Sequence, residues 1–219
     1  MDVRVLEIQE ALISNGFNPG VCDGIYGAKT EAAYAKWYSE NECKWILDPS
    51  HDPARQPLWL QMALCEVGTR EIQGTKNNPI IVSWLHQISN KVFADEIPWC
   101  AAFIGSILED AGLDSTGSLA ARSYTKWGIG LHSPAVGAIV VFWRGNRHGW
   151  KGHVGIIVGK TIDGKLAVLG GNQGDAVSIR AYSDHRVLAY RYPAGQRLPT
   201  QGFNALPIVP ITSTLKSES

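Results

Sequence analysis

Cys100 stands two residues after Pro98 and opens the clearest apolar stripe of the chain, Cys100, Phe103, Ile104, Ile107, Leu108 and Ala111, which closes at Gly112. A helix beginning there places a thiol in the first turn, where unpaired N–H groups and the helix dipole favour a thiolate. A buried core cysteine fits the same stripe. His153 opens a β-rich run in Gly152-His153-Val154-Gly155, and its small neighbours leave room for a substrate to reach the imidazole. A surface histidine at a strand start reads the same way, and that reading fits His148 and His185 equally well. Further on, Leu169-Gly170-Gly171-Asn172-Gln173 offers an amide able to accept from the other ring nitrogen and fix the tautomer. The order Cys100, His153, Asn172 is therefore available for nucleophilic cysteine chemistry.

Rival chemistries lack their spacing. There is no HExxH or HxH, and His148 and His153 stand five apart in a Gly-containing stretch, so no catalytic metal site is expected. No GxSxG elbow occurs. Gly155 to Thr161 resembles a phosphate loop, but three residues separate its glycines where four are needed, and the segment reads as a strand. Asp95 and Glu96 are chain neighbours whose side chains point apart, which suits neither geometry of a glycosidase pair. No cofactor is expected.

These groups need a scaffold, and 219 residues suffice for one full domain and a small module. Twenty basic residues against 20 acidic ones leave no net charge, so neither nucleic acid nor an anionic membrane is an expected partner. No apolar run approaches the roughly 20 residues that cross a bilayer, and the first ten residues carry Asp2, Arg4, Glu7 and Glu10 where a signal peptide would be apolar. Synthesis in the cytoplasm without a signal peptide is expected, with no membrane insertion. Cys22, Cys43, Cys65 and Cys100 are too few and too scattered for a disulfide framework or a zinc knuckle. Eight tryptophans imply a Trp-rich core or a groove that stacks on flat or sugar-like ligands.

The periodicity divides the chain. Residues 3–38 read as two short helices around a Gly-rich turn, the second capped by Thr30. Pro49, Pro53 and Pro57 mark residues 48–57 as a linker between a module at 1–47 and a domain at 58–193. Within that domain, helices over 58–67, from Asn78-Pro79 and after Pro98 precede short strands at 138–143, 153–158, 166–169, 177–179 and 187–192. Helices first and strands second predict an α+β fold with a mostly antiparallel sheet. Residues 194–219, rich in Pro, Ser and Thr, read as a poorly packed tail.

Two resemblances overlay this reading. Residues 3–38 resemble a peptidoglycan-binding domain through Ile8-Gln9, Leu12, Gly16, Gly20, Asp23-Gly24-Ile25-Tyr26-Gly27, Thr30 and Ala33, with Trp37-Tyr38 where that family has Phe-Gln. Residues 58–193 resemble the CHAP-like and NlpC/P60-related cysteine amidohydrolases. The resemblance rests on Asn77-Asn78-Pro79, Pro98-Trp99-Cys100-Ala101-Ala102-Phe103, Ala121-Arg122-Ser123, Gly152-His153-Val154-Gly155 and Gly170-Gly171-Asn172-Gln173. It implies a papain-like α+β fold with Cys100 as nucleophile, His153 as base and Asn172 as the polar third member. By the same resemblance Trp99, Glu71, Asn78, Ser123 and Trp127 fall to the substrate groove, and Asp23, Tyr26 and Thr30 to wall binding.

The reading is a monomeric, endolysin-like peptidoglycan hydrolase that cuts an amide of the stem peptide and acts on the wall after release. Either an N-acetylmuramoyl-L-alanine amidase or an endopeptidase fits. A secreted antibacterial effector of the same chemistry and an inactive wall-binding protein are the alternatives.

Overall fold

The computed structural model describes residues 6, 9–10, 12–13, 16–25, 27–30, 32–33, 56–72, 74, 77–89 and 97–209. Tyr26, Trp37, Tyr38, Cys43, Asp95, Glu96, the linker up to residue 55 and residues 210–219 lie outside them. Three helices come first: α1 (Leu58–Cys65), α2 (Pro79–Ile88) and α3 (Cys100–Asp110). Asn78 caps α2 by accepting the Ile80 N–H at 2.9 Å, and Pro79 at the first helical position forfeits no hydrogen bond. In α3 every side chain from Cys100 to Leu108 is buried, so this helix forms the spine of the core.

A 3₁₀ turn at Ala121–Lys126 leads into six strands: β1 (Ile129–Leu131), β2 (Ile139–Trp143), β3 (Gly152–Lys160), β4 (Leu166–Gly170), β5 (Ser178–Tyr182) and β6 (Val187–Tyr192). They pair antiparallel throughout in the order β1-β6-β2-β3-β4-β5. The α+β arrangement with an antiparallel sheet is therefore present. β3 and β4 are buried almost end to end, which explains their continuous apolar runs in place of alternation.

The last connection forces the sheet to curl. Residues 183–186 join Tyr182 of β5 to Val187 of β6, five chain steps that reach at most roughly 18 Å. In a flat sheet β5 and β6 would stand four strand spacings apart, roughly 19 Å, and would also be offset along the strands. Tyr182 lies level with Lys160 through Leu166, whereas Val187 pairs with Phe142, which pairs with His153 at the other end of β3. Curling closes both gaps and lays the Tyr182 ring against Phe142, with centroids 4.7 Å apart, and against His153 at 5.4 Å.

The C-terminal segment corrects one expectation. Residues 194–209 are no loose tail: Leu206 and Val209 are buried in the core. The Lys160 N–H donates to Pro207 O at 2.8 Å and the Val209 N–H to Lys160 O at 2.8 Å, so the chain returns beside β3 beyond the end of β2. Pro and Thr content signalled a tail, while the two apolar residues that matter are too sparse to register as a pattern.

Near the N-terminus one side chain organises the described residues. Gln9, almost fully buried, donates to Asp23, to Ile25 O and to Thr30 Oγ1 and accepts the N–H groups of Asp23 and Gly24. Thr30 is buried inside the helical turn that begins at residue 28, where its hydroxyl donates to Pro19 O, so it is not the helix cap. Asp23 and Thr30 are engaged in holding this turn together. The Ile25 N–H and Gln9 bonds also hold the Asp23 carboxyl below the usual carboxylate range.

Truncation after Pro193 should destabilise the protein by roughly 3–6 kcal/mol, the transfer free energy of two large aliphatic side chains leaving the core. Chemical denaturation of the shortened and full chains measures it. Equal midpoints would show that Leu206 and Val209 contribute nothing.

Candidate active site

Trp99 precedes α3, so the Cys100 thiol occupies the first helical position as the sequence predicted. The Phe103 N–H closes on Trp99 O at 2.9 Å, which leaves the amides of Cys100, Ala101 and Ala102 without an intrahelical acceptor. The backbone N–H groups of Val154, Ala101 and Cys100 favour the charged form of the thiol. The helix packs against β3, the strand that carries His153.

The His153 imidazole is fixed from two sides. Its face stacks on Tyr182, and its Nε2 lies 2.9 Å from Gln173 Oε1. Gln173 is fully buried, and its Nε2 donates to Val168 O and to Ser178 O. Both amide hydrogens are committed to carbonyls, so Oε1 is the acceptor and the ring must carry its proton on Nε2. Nδ1 then holds the lone pair. That atom is buried and has no hydrogen-bond partner. A neutral imidazole with its basic nitrogen bare is able to accept a proton.

This geometry corrects the third member. Asn172 does not meet the ring; it adopts the left-handed conformation, φ 53°, and turns the chain so that Gln173 points inward. Asn tolerates that conformation better than most residues, and this was the signal available in Gly-Gly-Asn-Gln-Gly. The loop is packed without slack. A Cβ on Gly171 would lie 2.5 Å from the Trp99 ring and 2.8 Å from Phe103 Cβ, and one on Gly170 would lie 3.0 Å from Gln173 Oε1. Close approach requires glycine at 171 and leaves little room for a side chain at 170.

Electrostatics give a different resting state from the one predicted. Burial pushes the Cys100 thiol up, and it outweighs the Val154 N–H, the Arg144 charge and the helix-start amides, all of which pull it down. Burial and then the positive charge of Arg144 push His153 down to about 3, against the Gln173 bond, with Arg186 and Arg180 adding to the fall. Both groups rest neutral. The helix start favours a thiolate but does not by itself produce one in so dry a place.

The remaining predicted residues divide. Trp99 is wholly buried, so it lines no groove; its indole N–H donates to Glu71 Oε1 at 2.7 Å, and the pair braces α3 against the Gly171 loop. Asn78 is a helix cap whose Nδ2 also donates to Arg70 O. Ser123 shares a hydrogen bond with Thr116, and Trp127 donates to Asp114 O and packs on the buried Tyr124. Arg122, beside Ser123, was not singled out. Its guanidinium donates to Lys151 O, Arg147 O and Asn146 O at 2.8–3.0 Å and clamps the β2–β3 loop. Tyr182 was missed because no local pattern reports a contact made by sheet curling. Among the described residues no cluster of His, Cys, Asp or Glu suits a metal ion.

Comparison with known families supplies a match at this point. Residues 92–172 match the CHAP domain. The matched span contains Cys100, His153 and Asn172 and stops one residue short of Gln173. CHAP domains are usually peptidoglycan hydrolases, and that general activity, with peptidoglycan as substrate, is what the match supports. Searches of curated proteins and of solved structures returned no match.

The buried imidazole makes stability depend on pH. His153 binds its proton at about 3 when folded and near 6.5 when unfolded, so between those values the unfolded chain holds more protons. Its contribution is complete above pH 6.5 and falls as pH drops towards 3. Glu66, raised to about 7 by burial, acts in the opposite sense and costs stability as pH rises from 4.5 to 7. Denaturation midpoints of the wild type and of His153→Gln across pH 4–7 should therefore differ in slope, the variant losing less stability on acidification. Parallel curves would mean that His153 is not held neutral.

Proposed function

We propose that this protein is a cysteine-dependent peptidoglycan hydrolase that cleaves an amide of the stem peptide. The observation that carries this reading is the Gln173–His153 bond, which leaves a buried, unprotonated Nδ1 on β3, the strand against which the Cys100 helix packs. In the reaction, substrate binding brings a carbonyl carbon to Cys100 Sγ. Nδ1 takes the thiol proton as sulfur attacks, and the positive charge appearing on the ring is opposed by Arg144 and burial, so the imidazolium is a strong acid. The tetrahedral oxyanion faces the free amides at the start of α3. The imidazolium then protonates the leaving amine, the C–N bond breaks, and a thioester remains. Water, deprotonated by the same Nδ1, attacks the thioester, releasing the carboxylate product and restoring the thiol.

Gln173, in place of Asn172, holds the ring and its tautomer in this scheme. The papain-like arrangement, an endolysin-type role and a wall-binding function for residues 1–47 belong to the same proposal. The chemistry suits an N-acetylmuramoyl-L-alanine amidase and an endopeptidase alike.

A turbidity assay on outer-membrane-stripped cells tests it. Cys100→Ala and iodoacetamide should each abolish lysis, and EDTA should spare it. Lysis by Cys100→Ala would end the proposal. The two neighbouring amides separate in the same assay: Gln173→Ala should lose at least about 10²-fold in rate, since the ring is then free to adopt the wrong tautomer, whereas Asn172→Gly should retain most activity because glycine keeps the left-handed turn. The reverse ranking would return the orienting role to Asn172.

A further inference from the structure

Trp150 is 83% exposed, the most exposed large apolar side chain among the described residues, and it sits three residues before His153. An indole in water usually marks a mobile loop tip, yet this loop is tied down. Besides the three Arg122 bonds, Asn146 Oδ1 accepts the His148 N–H at 2.8 Å, Asn146 O accepts the Gly149 N–H at 3.0 Å, and the Arg144 N–H donates to Lys151 O across the loop mouth. The Arg122 stem lies against Gly152, where an added Cβ would approach Cγ to 3.0 Å. The fold thus spends a complete guanidinium on presenting an aromatic face to solvent. Residues 144–151 also carry Arg144, Arg147 and Lys151 and no acidic residue, in a chain with no net charge. The Lys151 ammonium lies 5.8 Å from the Trp150 ring centre.

We infer that the β2–β3 loop is a rigid recognition arm for the glycopeptide substrate, with Trp150 stacking on a sugar ring and Arg147 and Lys151 meeting free carboxylates of the attached peptide. The inference rests on the proposed peptidoglycan reading and adds to it that the glycan, as well as the peptide, is bound at the catalytic domain. A sugar's C–H face and an indole are complementary apolar surfaces, and an arm already fixed loses little conformational freedom on binding. The basic charge of the loop complements the anionic peptide that such a sugar carries.

Calorimetry on the full chain carrying Cys100→Ala, which prevents turnover, tests this with a soluble disaccharide-peptide muropeptide as probe. Adding Trp150→Ala should weaken binding about tenfold, and Trp150→Phe should recover most of the loss. Replacing Arg147 and Lys151 by Gln should weaken binding and flatten its dependence on salt. Because Trp150 is exposed, its removal leaves the core untouched. Equal affinity with and without the indole would overturn the arm while leaving the hydrolase reading intact. Absence of muropeptide binding by the Cys100→Ala parent itself would overturn both. Tighter binding of a single-stranded oligonucleotide than of the muropeptide, lost in the same Trp150 variant, would show that the arm serves nucleic acid and overturn the inference.

Discussion

The site depends on the commitment of one amide. Gln173 gives both its hydrogens to backbone carbonyls, and this leaves its oxygen no role other than acceptor from His153. A buried amide with all its groups paired is stable, and each lost partner leaves an orphan costing about 1–3 kcal/mol. The proton arrangement of the imidazole therefore follows from backbone hydrogen bonding in β4 and β5, several residues from the reacting atoms. Glycine at 170 and 171, the left-handed Asn172 and the Trp99–Glu71 brace all serve to bring that amide to its place.

Keeping both Cys100 and His153 neutral suits their burial. A resting thiolate–imidazolium pair buried at this depth would carry a desolvation cost that attraction only partly offsets. Holding the two groups neutral avoids that cost, and in the proposed mechanism charge would separate only as a substrate carbonyl accepts electron density from sulfur. Arg144, Arg180 and Arg186 contribute the same sense of field to His153 from the β2–β3 loop, β5 and the β5–β6 turn. They disfavour a proton on the ring.

What the sequence revealed follows the reach of each signal. Cys100 and its helix were readable because an apolar stripe behind a proline is a local pattern, and β3 was readable because a buried strand is continuously apolar. The helix cap at Asn78 was likewise local, although its function was misread as ligand contact. Gln173 was obscured by its neighbour: two adjacent amides look alike until backbone conformation decides which one faces inward. Tyr182, Arg122 and the packing of Leu206 and Val209 depend on pairings between distant segments, and no window along the chain contains them. The Thr30 error was one of position within a turn, since a threonine near a helix start serves as a cap or as a buried hydroxyl with the same local sequence.

The strand order carries a consequence in time. β6 lies between β1 and β2, so the strand formed last in the sequence fills a central position of the sheet and not its rim. Until it arrives, β2 lacks one partner, and the Tyr182 ring that flanks His153 has no strand pulling it across. During synthesis at roughly 5–20 residues per second, several seconds separate the emergence of His153 from that of Tyr192. A nascent chain already holding Cys100 and His153 consequently does not yet have its candidate site assembled. Pairings of such long sequence separation also form slowly once the chain is complete. The topology itself acts as a delay between making the residues of the candidate site and assembling them.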